Sequence, residues 1–204
     1  MKFSSTRGGA PVDLETALLR GIAADGGLFV PESMPTFGSE AFSAAESPQA
    51  VARVLLEPFF AGSSLATDLD AIVAETLHFP LPLVAFGAPA SAGRLLELHH
   101  GPTAAFKDIG AGFLAACLSR LRPAGEDPLL ILVATSGDTG GAVAAAFDGR
   151  SGIRVAVLFP KGRVSARQAK QLTCWSDNVL SLEVEGSFDD CQTLVKAAFA
   201  DADL

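Results

Sequence analysis

The chain has 204 residues, 49% of them apolar and 19% charged, enough apolar side chain to fill one good core or two small ones. A formal charge of −8 argues against nucleic acid or an anionic membrane surface as its partner, while a local electropositive site for a small anionic substrate stays open. No uninterrupted apolar run approaches membrane-spanning length, and the start, Met1-Lys2-Phe3-Ser4-Ser5-Thr6-Arg7, lacks the apolar core of a signal peptide.

Residues 1–88 read as a mostly helical first domain. Asp13 caps a helix through Leu18 and Leu19, and Asp25-Gly26-Gly27 turns the chain into Leu28-Phe29-Val30, which Pro31 stops. Ser47-Pro48 opens a second helix carrying Val51, Val54, Leu55 and Leu56. Thr67-Asp68 caps a third, with Leu69, Ile72, Val73 and Leu77 on one side. Phe79-Pro80-Leu81-Pro82 breaks this pattern.

Residues 89–204 alternate strands with helices. Residues 94–98 are strand-like and 109–121 helical. Leu129-Leu130-Ile131-Leu132-Val133-Ala134 is a continuous apolar run, the pattern of a strand buried on both faces. A helix over 142–147, a strand over 153–159, a helix over 166–174, a strand over 178–184 and a helix over 188–199 follow. This alternation predicts right-handed βαβ crossovers and a parallel sheet.

The cysteines, Cys117, Cys174 and Cys191, are scattered and without CxxC spacing, so they read as ordinary cytosolic thiols. His99 and His100, adjacent on a strand, would diverge, and His78 has no ligand partner nearby, so no metal site is expected.

Three segments carry chemistry. Lys107 lies between Phe106 and Ile109-Gly110-Ala111-Gly112-Phe113, an apolar setting unlike that of a solvating lysine. Burial disfavours a charged amine, which suits a lysine that forms a Schiff base; the alternative is a lysine snorkelling at a helix start. Thr135-Ser136-Gly137-Asp138-Thr139-Gly140 follows the apolar strand, where helix N-termini and glycines cradle anions in open α/β sheets. Its hydroxyls suit a carboxylate or phosphate, whereas Asp138 either caps the helix or accepts a hydrogen bond from a cofactor. The simpler alternative is an ordinary strand–helix turn. No Gly-Lys-Ser/Thr follows, so it is not a P-loop. Pro160-Lys161-Gly162-Arg163-Val164-Ser165 borders the same strand edge and offers Lys161, Arg163 and Ser165 to an anion, or else is a solvated basic loop.

Together, Leu96-Glu97-Leu98-His99-His100-Gly101-Pro102-Thr103-Ala104-Ala105-Phe106-Lys107-Asp108, the 134–140 segment and Phe159-Pro160-Lys161-Gly162-Arg163-Val164-Ser165 resemble the threonine synthases, fold-type II pyridoxal-phosphate enzymes. Asp25-Gly26-Gly27-Leu28-Phe29-Val30-Pro31 and Gly186-Ser187-Phe188-Asp189-Asp190-Cys191 extend the likeness over most of the chain. The resemblance implies an α/β fold with a helical N-terminal unit and an incomplete parallel sheet, in a cytoplasmic enzyme. Lys107 would carry pyridoxal 5'-phosphate, with Phe106 and Asp138 also contacting it. Thr135, Ser136, Gly137 and Thr139 would hold the carboxylate of O-phospho-L-homoserine, and Lys161 and Ser165 its phosphate; the products would be L-threonine and phosphate. A related phospho-amino-acid lyase and a non-catalytic anion-binding domain are the alternatives. Family members are longer than this chain, so 204 residues alone are expected to bind the cofactor poorly and to lack activity.

Overall fold

A computed structural model describes residues 1–87, 93–122, 127–176 and 178–201. The expected domain boundary at 88–89 lies outside them. Two compact units are present: Met1–His78 with Ala116–Leu121, and Phe79–Ala115 with Arg122–Leu204.

In the first unit, β1 (Phe3–Ser5) pairs antiparallel with β2 (Phe29–Pro31), Phe3 opposite Pro31. Between them runs α1 (Leu14–Arg20). Its start is fixed by Asp13, whose carboxylate accepts from Thr16 N at 2.8 Å, and its end by Gly21 at φ +65°. Helix α2 (Pro48–Phe60) starts at Ser47, which accepts from Ala50 N, with Pro48 in the first turn where its missing N–H costs nothing. Helix α3 (Leu69–Thr76) differs from expectation at its start. Asp68 makes no capping bond, because a 3-10 turn, Ala66–Asp68, runs directly into the helix with Asp68 already helical in conformation. Phe60, Leu65, Leu69, Ile72 and Val73 form the core of this unit with Phe3 and Leu14.

The second unit begins with an antiparallel hairpin, β3 (Leu83–Phe86) on β4 (Gly93–Leu96). The strand expected at 94–98 therefore belongs to this hairpin, and among the described residues it does not join the parallel sheet. Helix α4 (Lys107–Leu121) starts two residues before the expected position, placing Lys107 in its first turn. The sheet proper is parallel, in the order β5 (Leu129–Ala134), β6 (Ile153–Pro160), β7 (Val179–Val184). Helices α5 (Asp138–Phe147), α6 (Ala166–Thr173) and α7 (Phe188–Ala200) follow the three strands in turn.

The expectation that 129–134 is buried on both faces is overturned. Among the described residues β5 lies at an edge of the sheet and Leu130 is 44% exposed; the central position, and the burial, go to β6 with Ile153, Val155, Val157 and Phe159. A continuous apolar run reports suitability for burial, and strand order decides which run receives it. Pairing of Ala134 with Leu158 and of Pro160 with Val184 aligns the carboxyl ends of all three strands. The turns that follow them open helices on one edge of the sheet, where α/β proteins place ligands. Among the described residues no helix is long and apolar enough to cross a membrane.

Candidate active site

The chain enters α4 through the loop Gly101-Pro102-Thr103-Ala104-Ala105-Phe106, which is locked by Asp108. This buried carboxylate accepts from Thr103 N at 2.9 Å and from the Thr103 hydroxyl. A Cβ at Gly101 would overlap Asp108, so the loop closes this tightly only with glycine there. Ala104 takes φ +58°, an unfavourable conformation for a side-chain-bearing residue that the closed loop imposes. Asp108 lies in the first helical turn, where a negative charge also favours the exposed N–H groups. The result is a fixed point of departure for Lys107.

Lys107 is half-buried, with its Nζ 4.6 Å from the centroid of the Phe106 ring. It lines an open recess of about 510 Å³ with Leu98, Phe106, Ile109, Leu114, Thr139 and Val143 among its neighbours. In that lining, only Lys107 and Thr139 offer polar side-chain groups. Phe106, 62% exposed, forms a wall shared with a second recess of about 370 Å³, which also borders Thr103 and Asp138.

The turn after β5 is built from within by Thr135. Its hydroxyl, in a residue only 1% exposed, accepts from Gly137 N at 3.0 Å and Gly140 N at 2.9 Å. Thr135 therefore shapes the turn from within. Gly137 has φ +145°, and a Cβ there would overlap Gln168; a Cβ at Gly140 would overlap Thr135 and Leu172. These two contacts explain why α5 begins at Asp138, ahead of the expected 142: its glycines sit where space is missing, not where a helix ends. Ser136, Asp138 and Thr139 remain exposed, and their backbone N–H groups take no partner among the described residues. Three free donors with two hydroxyls at a helix start make an anion-holding surface.

Helix α6 fastens both segments. Gln168 Nε2 donates to Asp138 Oδ1 at 3.0 Å, and Gln171 Nε2 donates to the Thr103 carbonyl at 3.3 Å. Neither glutamine was legible as a site residue in the sequence, because each partner lies 30 or more residues away. Asp138 is thus tied back by an amide, which draws its charge aside from the N–H surface. Two more of the expected anion ligands, Lys161 and Ser165, also have partners within the chain. Lys161 Nζ pairs with Glu185 Oε1 at 2.5 Å. Ser165 is the N-cap of α6: its hydroxyl accepts from Gln168 N at 3.2 Å and donates to Gln168 Oε1 at 2.9 Å. The partner of Lys161 lies 24 residues away, whereas Ser165 and Gln168 form a capping box with local, three-residue spacing.

Residues 95–203 match the family model "Pyridoxal-phosphate dependent enzyme", over half of the chain. The chain belongs to the pyridoxal-phosphate-dependent enzymes. Residues 2–77 match the model "Threonine synthase N terminus". A curated threonine synthase of Pseudomonas aeruginosa is 38% identical over 98% of this chain and 44% of its own length. The crystal structure of PLP-bound threonine synthase from Brucella melitensis superposes with a TM-score of 0.88 at 41% identity, covering 100% of this chain and 45% of that one. The threonine synthase structure from Escherichia coli gives 0.85 at 36% identity, covering 100% of this chain and 47% of that one. The chain thus spans somewhat less than half the length of the relatives it matches.

The described residues fit the family's cofactor in two respects. Lys107 presents an amine at the rim of the 510 Å³ recess, and the apolar lining suits a flat pyridine ring. For the cofactor's phosphate the recess offers only Lys107 and Thr139.

Proposed function

We propose that the protein acts as a threonine synthase of fold type II, converting O-phospho-L-homoserine and water into L-threonine and phosphate in the cytoplasm. The observation that carries this reading is Lys107 in the first turn of α4, at the wall of an apolar recess that Thr139 of the anion-holding turn also lines. The threonine synthases matched across both units support it, as do the unpaired thiols Cys117, Cys174 and Cys191 for the cytoplasm. The charge of −8 supports a small molecule over nucleic acid. We read 1–88 as the N-terminal domain and 89–204 as part of the cofactor domain.

Lys107 would hold the cofactor through its amine, with Phe106 forming the wall beside it. Pyridoxal phosphate, when bound, supplies an electron sink for charge developing on the substrate carbons. The exposed N–H groups of Ser136, Asp138 and Thr139, with the Ser136 and Thr139 hydroxyls, hold the substrate carboxylate and orient its Cα. The Lys107 amine would take the Cα and Cβ protons and return them at Cγ and Cα, while phosphate leaves the γ-carbon with a proton from the water whose hydroxyl adds at the β-carbon. Gln168, through Asp138, and Asp108, through Thr103, position the two segments that must meet.

Product analysis with phosphohomoserine and pyridoxal phosphate tests the activity on these residues joined to the remaining length of a threonine synthase relative, since 1–204 alone are expected to be inactive. Threonine and phosphate in equal amounts are expected. Release of 2-oxobutyrate in place of threonine identifies a related lyase and overturns the proposal.

A further inference from the structure

Glu97, His99 and His100 take no part in the reading above. The sequence predicts that the two imidazoles point apart on a strand. In the structure β4 ends at Leu96, residues 97–100 are irregular, and the rings stack with centroids 4.5 Å apart and planes at 28°. Both Nε2 atoms turn toward one carboxylate oxygen, Glu97 Oε2, at 2.7 Å from His100 and 4.0 Å from His99. One donor atom from each of the three residues lies within 4.8 Å of the others.

A hydrogen bond accounts for His100. It leaves His99 unexplained: its side chain is 60% exposed, yet folds back over its neighbour with its nitrogen toward the same oxygen. Two donors on one tetrahedral zinc, with bonds of about 2.0–2.1 Å, lie about 3.3 Å apart. The two separations to Glu97 Oε2, 2.7 and 4.0 Å, bracket that value, and all three donor atoms lie within 4.8 Å of one another.

We propose that Glu97, His99 and His100 form a binding site for a zinc-class divalent cation, its remaining coordination filled by water. Two imidazoles and one carboxylate suit zinc, cobalt, nickel or copper; magnesium and calcium prefer oxygen-only sets. His99 also lines the 370 Å³ recess bordered by Thr103, Phe106 and Asp138, so the ion sits at its mouth. Binding there ties down the chain between β4 and Lys107. The inference is independent of the proposed activity.

The chain has three histidines, and the third, His78, bonds the Glu75 carbonyl through Nδ1, which makes an internal control. The test uses the whole 204-residue chain without cofactor, carrying Cys174→Ser to remove its exposed thiol. Zinc is titrated by calorimetry, and nickel by the proton NMR signals of the imidazoles. One equivalent of zinc is expected, with nickel broadening two imidazole signals and sparing that of His78. Outer-shell changes alone weaken metal sites by about 10- to 100-fold, so His99→Ala and Glu97→Gln should each weaken zinc at least about tenfold. Both side chains face solvent in part, and unchanged circular dichroism would show the variants folded. Magnesium at the same concentration should give no heat. Absence of binding, zinc affinity that survives His99→Ala, or broadening of all three signals together would overturn the proposal.

Discussion

Thr135 and Asp108 do similar work at the two ends of the site. Each is a buried side chain that accepts two hydrogen bonds from a loop which would otherwise be free to open. Replacing Thr135 by Val keeps its shape and strands two backbone donors, Gly137 N and Gly140 N. A buried unsatisfied donor costs about 1–3 kcal/mol, so the variant should lose at least that much in urea unfolding, and Thr135→Ser should recover most of it. Asp108→Ala removes a charged acceptor from Thr103 and should cost about 1.5–3 kcal/mol by the same measurement. Adding Thr103→Ala to that variant should cost little more, since the lost bonds are shared. Cysteine chemistry follows from burial in the same way. Burial pushes the Cys117 thiol up to about 12 and also raises that of Cys191, whereas Cys174 is exposed. A thiol reagent at neutral pH should therefore modify one cysteine, Cys174, in the native protein and all three in denaturant.

Helices and strands were legible where their signals are local. Asp13, Ser47 and the apolar runs 129–134 and 153–159 state their own ends, and α1, α2, β5 and β6 form where these signals put them. The starts of α4 and α5 were not legible. Lys107-Asp108 and Gly140-Gly141 look like loop residues until Thr103 and Leu172 are brought against them. The site divides likewise. The segments bearing Lys107 and the 135–140 turn were visible as patterns, while the inward Thr135, the Lys161–Glu185 pair and the tie from Gln168 depend on tertiary neighbours. Helix α6 carries the largest share of what was hidden. Ser165→Ala should destabilise by about 1 kcal/mol as a lost N-cap in thermal unfolding. It should also loosen Asp138, because Gln168 loses the hydroxyl that holds its side chain.

Across the whole molecule, acidity is the general stress to which the structure predicts a response. Asp13 is held below its ordinary value by hydrogen bonding to Thr16, Asp25 by the Ser5 hydroxyl and Gly27 N–H, and Asp190 by Ser187. For Glu15, burial acts upward but is outweighed by hydrogen bonds from Ser64, so its net shift is also downward. Folded-state values below the unfolded ones mean that the unfolded chain binds more protons in this range. These groups therefore contribute stability in full above the ordinary values of 3.8 for Asp and 4.5 for Glu, and lose it as pH falls through the lower folded values. The urea midpoint should be flat from neutrality to about pH 5 and fall on further acidification, with the acid limb shallower in Asp25→Asn. Presentation of Lys107 to a carbonyl cofactor can be tested more directly still. The protein is mixed with pyridoxal phosphate, reduced with borohydride, digested and mapped by mass spectrometry. A reduced cofactor adduct concentrated on Lys107 and absent from Lys107→Ala is expected; adducts spread over surface lysines, with Lys107 unmodified, would overturn this role of Lys107.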